Sequence, residues 1–99
     1  MAYLLGYDIG SSSIKAALLS VEGQLVAAAT SPPTELEIIA PKPGWAEQDP
    51  RTWWEHVKRA TAAILAKSQV NPEEIKAIGI SYQMHGLVLV DREGEVLRP

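Results

Sequence analysis

Apolar positions along this chain change period twice, and those changes lay out its elements. Residues 3–7 (Tyr3-Leu4-Leu5-Gly6-Tyr7) form a short apolar run, and Ile14, Ala16 and Leu18 then recur at the two-residue period of a strand. Residues 18–26 read as strand, glycine-containing turn and strand. Residues 31–49 carry Pro32, Pro33, Pro41 and Pro43, so they cannot be regular throughout, and ordered loops of that length are often functional. A helix begins at Asp49-Pro50, an N-cap acid followed by a proline whose missing N–H costs nothing at the first helical position. Trp53, Val57, Ala60 and Ile64 fall at helical spacing, with Trp54, Thr61 and Leu65 alongside. Both tryptophans Trp53 and Trp54 are expected to pack against the sheet, while Glu55, Lys58, Arg59 and Lys67 lie off the stripe and face water. Asn71-Pro72 closes the helix, and residues 72–74 suit a further short turn. Residues 75–82 are nearly continuously apolar, the pattern of a strand covered on both faces. Residues 87–97 repeat the strand, turn, strand plan of residues 18–26.

This order predicts an α/β fold: a mixed sheet with antiparallel hairpins, one long crossover helix and a parallel strand. The crossover makes the strand ending at Tyr82 parallel to the first. If the two are neighbours, only about 5 Å apart, their C-terminal ends share one sheet edge. Ligands of open α/β sheets bind at such an edge. Asp8 and the residues after it would then lie beside Gln83, Met84 and His85.

Composition narrows the partners. The chain has 99 residues, enough for at most one small domain. A formal charge of −3, with no basic cluster, gives no nucleic-acid footprint. No cysteine is present, so there is neither a disulfide framework nor a thiolate site. No stretch approaches the roughly 18 apolar residues of a membrane span, and the N-terminus lacks the parts of a signal peptide. A cytoplasmic protein with no membrane partner is the expectation.

Chemistry concentrates in Asp8-Ile9-Gly10-Ser11-Ser12-Ser13-Ile14-Lys15. An acid ends one strand, a glycine turns the chain, three hydroxyls follow, and a cation sits on the outgoing strand. Backbone N–H groups and hydroxyls in such a turn suit phosphate oxygens. Asp8 can hold Mg²⁺ or its waters, because a hard cation takes carboxylate oxygen. Lys15 can offset phosphate charge as a flexible point charge, or simply point into water. A polar turn with a solvated acid and lysine is the plainer reading of the same residues.

Two further segments, Pro43-Gly44-Trp45-Ala46-Glu47-Gln48-Asp49-Pro50 and Gln83-Met84-His85-Gly86, occur in order after the first. Together the three resemble the N-terminal part of the FGGY-family carbohydrate kinases, with Gln83-Met84-His85-Gly86 most similar to the xylulokinase branch. The resemblance runs over essentially the whole chain, residues 1–99 being the first part of a sugar-binding N-terminal domain. It implies a ribonuclease H-like fold of the actin and hexokinase type, with ATP and Mg²⁺ as cofactors and a small sugar as substrate. It also implies a phosphoryl transfer from ATP to a ketopentose, D-xylulose first, with gluconate, ribulose and L-xylulose as alternatives. By the same resemblance Asp8 organises metal, through water, and the reacting phosphate, while Gly10, Ser11, Ser12, Ser13 and Lys15 contact nucleotide phosphates. Ser11 stands where the family commonly has threonine, which keeps the hydroxyl. Gln83, Met84 and His85 are the sugar contacts; related glycerol kinases place an arginine–glutamate pair at the last two. Trp45 is read as anchoring its loop, with Glu47 and Gln48 at the pocket rim. His56, beside Glu55 on the helix, is read as structural.

The family's general base lies well downstream, so this chain is expected to be a fragment that is inactive alone. An intact enzyme is expected to be a homodimer or a monomer. One helix can cover only one face of a sheet apolar on both, so the isolated chain is expected to self-associate. Two rivals remain on sequence grounds. A noncatalytic nucleotide-binding module of the actin or Hsp70 type would share the phosphate turn but not the two later motifs. A ribonuclease H-like nuclease would need further strand-end acids, and Asp91, at a hairpin turn, is a weak candidate.

Overall fold

The computed structural model describes residues 2–83 and 86–97. The first apolar run becomes β1 (Tyr3–Ile9), followed by β2 (Ile14–Ser20) and β3 (Leu25–Ser31). A long irregular segment leads to helix α1 (Pro50–Ser68), a 3₁₀ turn at Pro72–Glu74, and β4 (Ile75–Tyr82). The four strands form one sheet in the order β3-β2-β1-β4. β1 and β2 pair antiparallel, as do β2 and β3, and β4 runs parallel to β1. The crossover through α1 therefore sets the ends of β1 and β4 side by side, as the element order predicts.

Period-two alternation in β2 is translated directly into burial. Ile14, Ala16, Leu18 and Ser20 are buried, whereas Lys15 is exposed. The core joins Leu5, Ala16 and Leu18 of the sheet to Ala60 and Ile64 of α1. Leu18 and Ile64 have no exposed surface, and such a buried side chain contributes about 1.5–3 kcal/mol relative to exposure. The helix lies over β2 and β3. There the sheet presents Ala16, Ala27 and Ala29, small enough for a close approach.

Over β1 and β4 the outcome differs from the sequence expectation. β4 forms where predicted, but it is not covered: Ile78, Ile80 and Tyr82 are 61%, 59% and 67% exposed. Trp54 does not pack against the sheet either and is 63% exposed. It stands on the flank of an apolar groove of about 640 Å³ whose floor includes Tyr7, Ile9, Ile78 and Ile80. The reason is lateral: a single helix seated on β2 and β3 cannot also reach β4.

In the second hairpin the turn forms, with Asp91 N–H donating to Glu95 O at 2.8 Å and Leu97 N–H to Leu89 O at 2.9 Å, and among the described residues the pairing is one isolated bridge, Val90 with Val96. Asp91 Oδ1 accepts from the N–H groups of Glu93 and Glu95, so this carboxylate holds its own turn. That removes it as a nuclease acid. His56 is structural as read, its Nδ1 lying 2.8 Å from Ser31 Oγ. No described helix is long and apolar enough to cross a membrane.

The start of α1 follows its sequence signals. Asp49 is the N-cap, its Oδ1 accepting from Arg51 N–H at 3.0 Å, and Pro50 is the first helical residue. Arg51 also folds back, Nε to Oδ1 at 2.9 Å and Nη2 to Oδ2 at 2.9 Å. These side-chain hydrogen bonds from Arg51 hold the Asp49 carboxyl below its ordinary range. A depressed folded-state value contributes stability that is full above the unfolded carboxylate pKa and lost as pH falls through the folded one. Arg51 is solvent-exposed and Asp49 partly so, so the cap itself dominates over the ion pair. Asp49→Ala should lower the unfolding free energy by about 1 kcal/mol at neutral pH. Urea unfolding followed by far-UV circular dichroism should show that gap narrowing in strong acid, and an equal midpoint at neutral pH would contradict the capping role.

Candidate active site

The turn from β1 to β2 has an unusual hydrogen-bond polarity, built residue by residue. Gly10 N–H donates to Ser13 O at 3.0 Å, closing the turn on itself. A Cβ at position 10 would sit 3.1 Å from that same oxygen, which is why glycine fits there. Leu36 N–H donates to Ser12 O at 2.7 Å. Gln83 Nε2 donates to Gly10 O at 3.0 Å, and Gln48 Nε2 donates to Ser11 O. All four carbonyls from Gly10 to Ser13 are therefore occupied. Among the described residues, no hydrogen bond engages the N–H groups or hydroxyls of Ser11, Ser12 or Ser13. Acceptors are tied back and donors are left over, which is the polarity an anion requires.

Asp8 lies one step before this turn. It pairs across the sheet with Lys15 on β2 and with Ser81 on β4, and Lys15 pairs in turn with Thr30 on β3. Thr30, Lys15, Asp8 and Ser81 thus form a polar row across all four strands. The row has the opposite parity to Leu5 and Tyr7 and so lies on the face away from α1. Asp8 and Lys15 are both exposed. No described residue hydrogen-bonds or ion-pairs with the Asp8 carboxylate, which leaves its oxygens available to a hard cation or its waters.

A pocket of about 440 Å³ adjoins the turn, lined by Ser11, Glu47, Gln48, Trp53, Gln83 and Leu87 among others. Gln83 is where the sequence places it, at the end of β4 beside Gly10. Met84 and His85, the other two sugar contacts expected from sequence, lie outside the described residues. Asp8 does not line this pocket; Ser11 is the residue that belongs to both turn and pocket.

Two residues have larger roles here than periodicity suggested. Trp53, read as sheet packing, instead lines the pocket and donates its Nε1–H to Gln48 Oε1 at 3.0 Å. The signal was present in the helix start: with Asp49 as cap, Trp53 falls in the first turn or so of α1, close in sequence to Gln48, its partner. Gln48, read only as rim, binds the turn directly. Trp45 is 44% exposed, with Lys42 Nζ 4.9 Å from its ring centroid and its own N–H donating to Lys42 O at 3.0 Å. Buried Leu36 and the paired Ile39 and Glu47 also hold the loop.

Among the described residues no cluster of three or more histidine, cysteine, aspartate or glutamate side chains could hold a metal ion.

Comparison with known proteins agrees with this geometry. Residues 3–99 match the family model described as the FGGY family of carbohydrate kinases, N-terminal domain. The xylulose kinase of Escherichia coli K12 is 42% identical over 95 residues, 96% of this chain and 19% of that protein. A glycerol kinase of Variovorax paradoxus is 43% identical over 94 residues, 94% of this chain and 18% of that protein. Among solved structures, a xyloylose kinase from Brucella ovis superposes with a TM-score of 0.85 at 42% identity, over 98% of this chain and 20% of that one. The chain spans about a fifth of the length of these relatives. Its sheet is the one expected of the actin and hexokinase type of ATPase fold. With the motifs, the topology and the whole-length match in agreement, the chain belongs to the FGGY family of carbohydrate kinases.

Proposed function

We propose that this chain forms the phosphate-gripping and sugar-facing part of an ATP-dependent kinase whose acceptor is a ketopentose, D-xylulose. The observation that carries the reading is the Gly10–Ser13 turn, its carbonyls occupied and the donors of Ser11, Ser12 and Ser13 left over, set against a pocket edged by amides. Xylulose kinases and a glycerol kinase both stand among its relatives, so the choice of ketopentose rests on Gln83, Met84 and His85 rather than on the turn.

In the reaction a sugar hydroxyl oxygen attacks the γ-phosphorus of ATP. The bond to the bridging oxygen of ADP breaks, and the hydroxyl proton passes to a base. Such transfers depend on positioning and on neutralising charge around a loose transition state. The free N–H groups and hydroxyls of Ser11, Ser12 and Ser13 would bind nucleotide phosphate oxygens, with Gly10 allowing the close turn and Lys15 supplying a positive charge. Asp8 would hold Mg²⁺ through water, and the ion would shield the phosphate oxygens from the incoming hydroxyl. Gln83 would offer its amide, His85 one donor and one acceptor, and Met84 an apolar wall to the sugar. No residue of this chain is assigned as the base. Dependence on ATP makes the cytoplasm the expected compartment.

Asp8→Asn, made in the kinase that carries this chain, should reduce turnover by orders of magnitude with the fold intact. It removes the charge that organises the cation and keeps the shape. Near-normal sugar-dependent ADP release would take Asp8 out of the mechanism. A sugar panel in the same assay tests the substrate, and dominance of another sugar over D-xylulose would overturn that choice.

His85→Ala should raise the sugar Michaelis constant about tenfold, as expected for loss of roughly 1–3 kcal/mol of buried hydrogen bonding. The constant for ATP should move much less. Equal effects on both substrates would return His85 to a structural role.

The isolated chain should self-associate through the groove beside Trp54 and the open edge of β4. Ile78, Ile80, Tyr82 and Trp54 leave more apolar surface together than a small monomer ordinarily tolerates. Sedimentation velocity over a concentration series should show dimers or larger species, and a folded monomer at high concentration would contradict it.

A further inference from the structure

Gln48 joins three parts of the molecule that are otherwise separate. It ends the loop before α1, lines the pocket, and holds the phosphate turn. Its amide has one workable orientation. Trp53 Nε1–H can only donate and Ser11 O can only accept, so Oε1 must face the indole and Nε2 the carbonyl. Gln83 grips the neighbouring carbonyl of Gly10 from the end of β4. Two consecutive carbonyls of the turn are thus held by side-chain amides from two different loops, and both amides line one pocket.

A carbonyl held in place fixes the peptide plane that follows it. The peptide after Ser11 O carries the Ser12 N–H, one of the turn's free donors. Whatever orders the Gln48 amide therefore orders that donor, and a polyol in the pocket would meet the amide's remaining N–H and lone pair. Resting on the kinase reading, we propose that Gln48 is a positioning residue that couples the two substrates. Sugar in the pocket fixes the amide, the amide fixes the turn, and the turn binds nucleotide phosphates more tightly. By linkage the effect is reciprocal, so bound nucleotide tightens sugar by the same factor.

A carboxylate in place of the amide would break the relay at one point. Gln48→Glu keeps the side-chain length and the acceptor for Trp53 but sets an anionic oxygen against Ser11 O. The dissociation constant of D-xylulose is measured calorimetrically, with and without a non-hydrolysable ATP analogue, in the kinase that carries this chain. In the parent the analogue should tighten sugar binding by about fivefold or more, the usual lower range of such coupling. In folded Gln48→Glu the ratio should fall to near one. Trp53→Phe removes the donor that orients Oε1 and leaves the Ser11 contact, so it should give a ratio between the two, and it serves where Gln48→Glu does not fold. A parent ratio of one, a parent-like ratio in folded Gln48→Glu, or a parent-like ratio in Trp53→Phe would overturn the proposal. Absence of ADP release from the parent with any sugar would instead overturn the kinase reading, so the two failures are separable.

Discussion

The site depends on the hydrogen-bond polarity of a single turn. A peptide turn ordinarily presents both donors and acceptors, and a phosphate would be repelled by the second as much as attracted by the first. Between β1 and β2 the acceptors have been used up. Gly10 N–H, Leu36 N–H, Gln48 and Gln83 each take one of the four carbonyls. These partners come from the turn itself, from the proline-rich loop and from the end of β4. The length of that loop thus has a physical reason, since it delivers Leu36 and Gln48 to the back of the turn.

Topology makes the fourth partner possible. Gln83 is 73 residues from Gly10 in sequence, and only the parallel crossover brings it within 3.0 Å. An antiparallel return would have placed the other end of that strand at the turn. Crossover, strand order and site are one arrangement, and the same strand register aligns Ser81 with Asp8 and Asp8 with Lys15.

Much of this was legible in sequence wherever local chemistry decides structure. Alternation at Ile14, Ala16 and Leu18 gave the buried side of β2, and Asp49-Pro50 marked the start of α1. The meeting of Asp8's turn with Gln83 followed from element order once β1 and β4 are neighbours, which the sheet order supplies. What escaped depended on tertiary placement. The apolar run of β4 describes what that strand is suited to lie against, whereas its exposure depends on where α1 settles. Trp53 belongs to the right helical stripe by spacing, yet that stripe enters the pocket at Trp53 and the core at Ala60 and Ile64. The hairpin after Gly86 kept its turn because Asp91 encodes it locally.

The lateral seat of α1 has its own cause in side-chain size. On the helix-facing side, β3 offers Ala27 and Ala29 and β2 offers Ala16 beside Leu18, while β1 and β4 offer Tyr7, Ile78 and Ile80. A helix approaches most closely where the sheet is lowest, and dispersion attraction rewards that approach steeply. Tyr7 then stands as a wall at the boundary, its hydroxyl hydrogen-bonded to Thr61 on the helix. That contact marks how far α1 reaches toward β4, with Thr61 Oγ1 also donating to Val57 O within the helix at 2.7 Å. The same choice that seals the core at Ile64 thus leaves the groove at Trp54 open, and it fixes the helix N-terminus where Trp53 can reach Gln48.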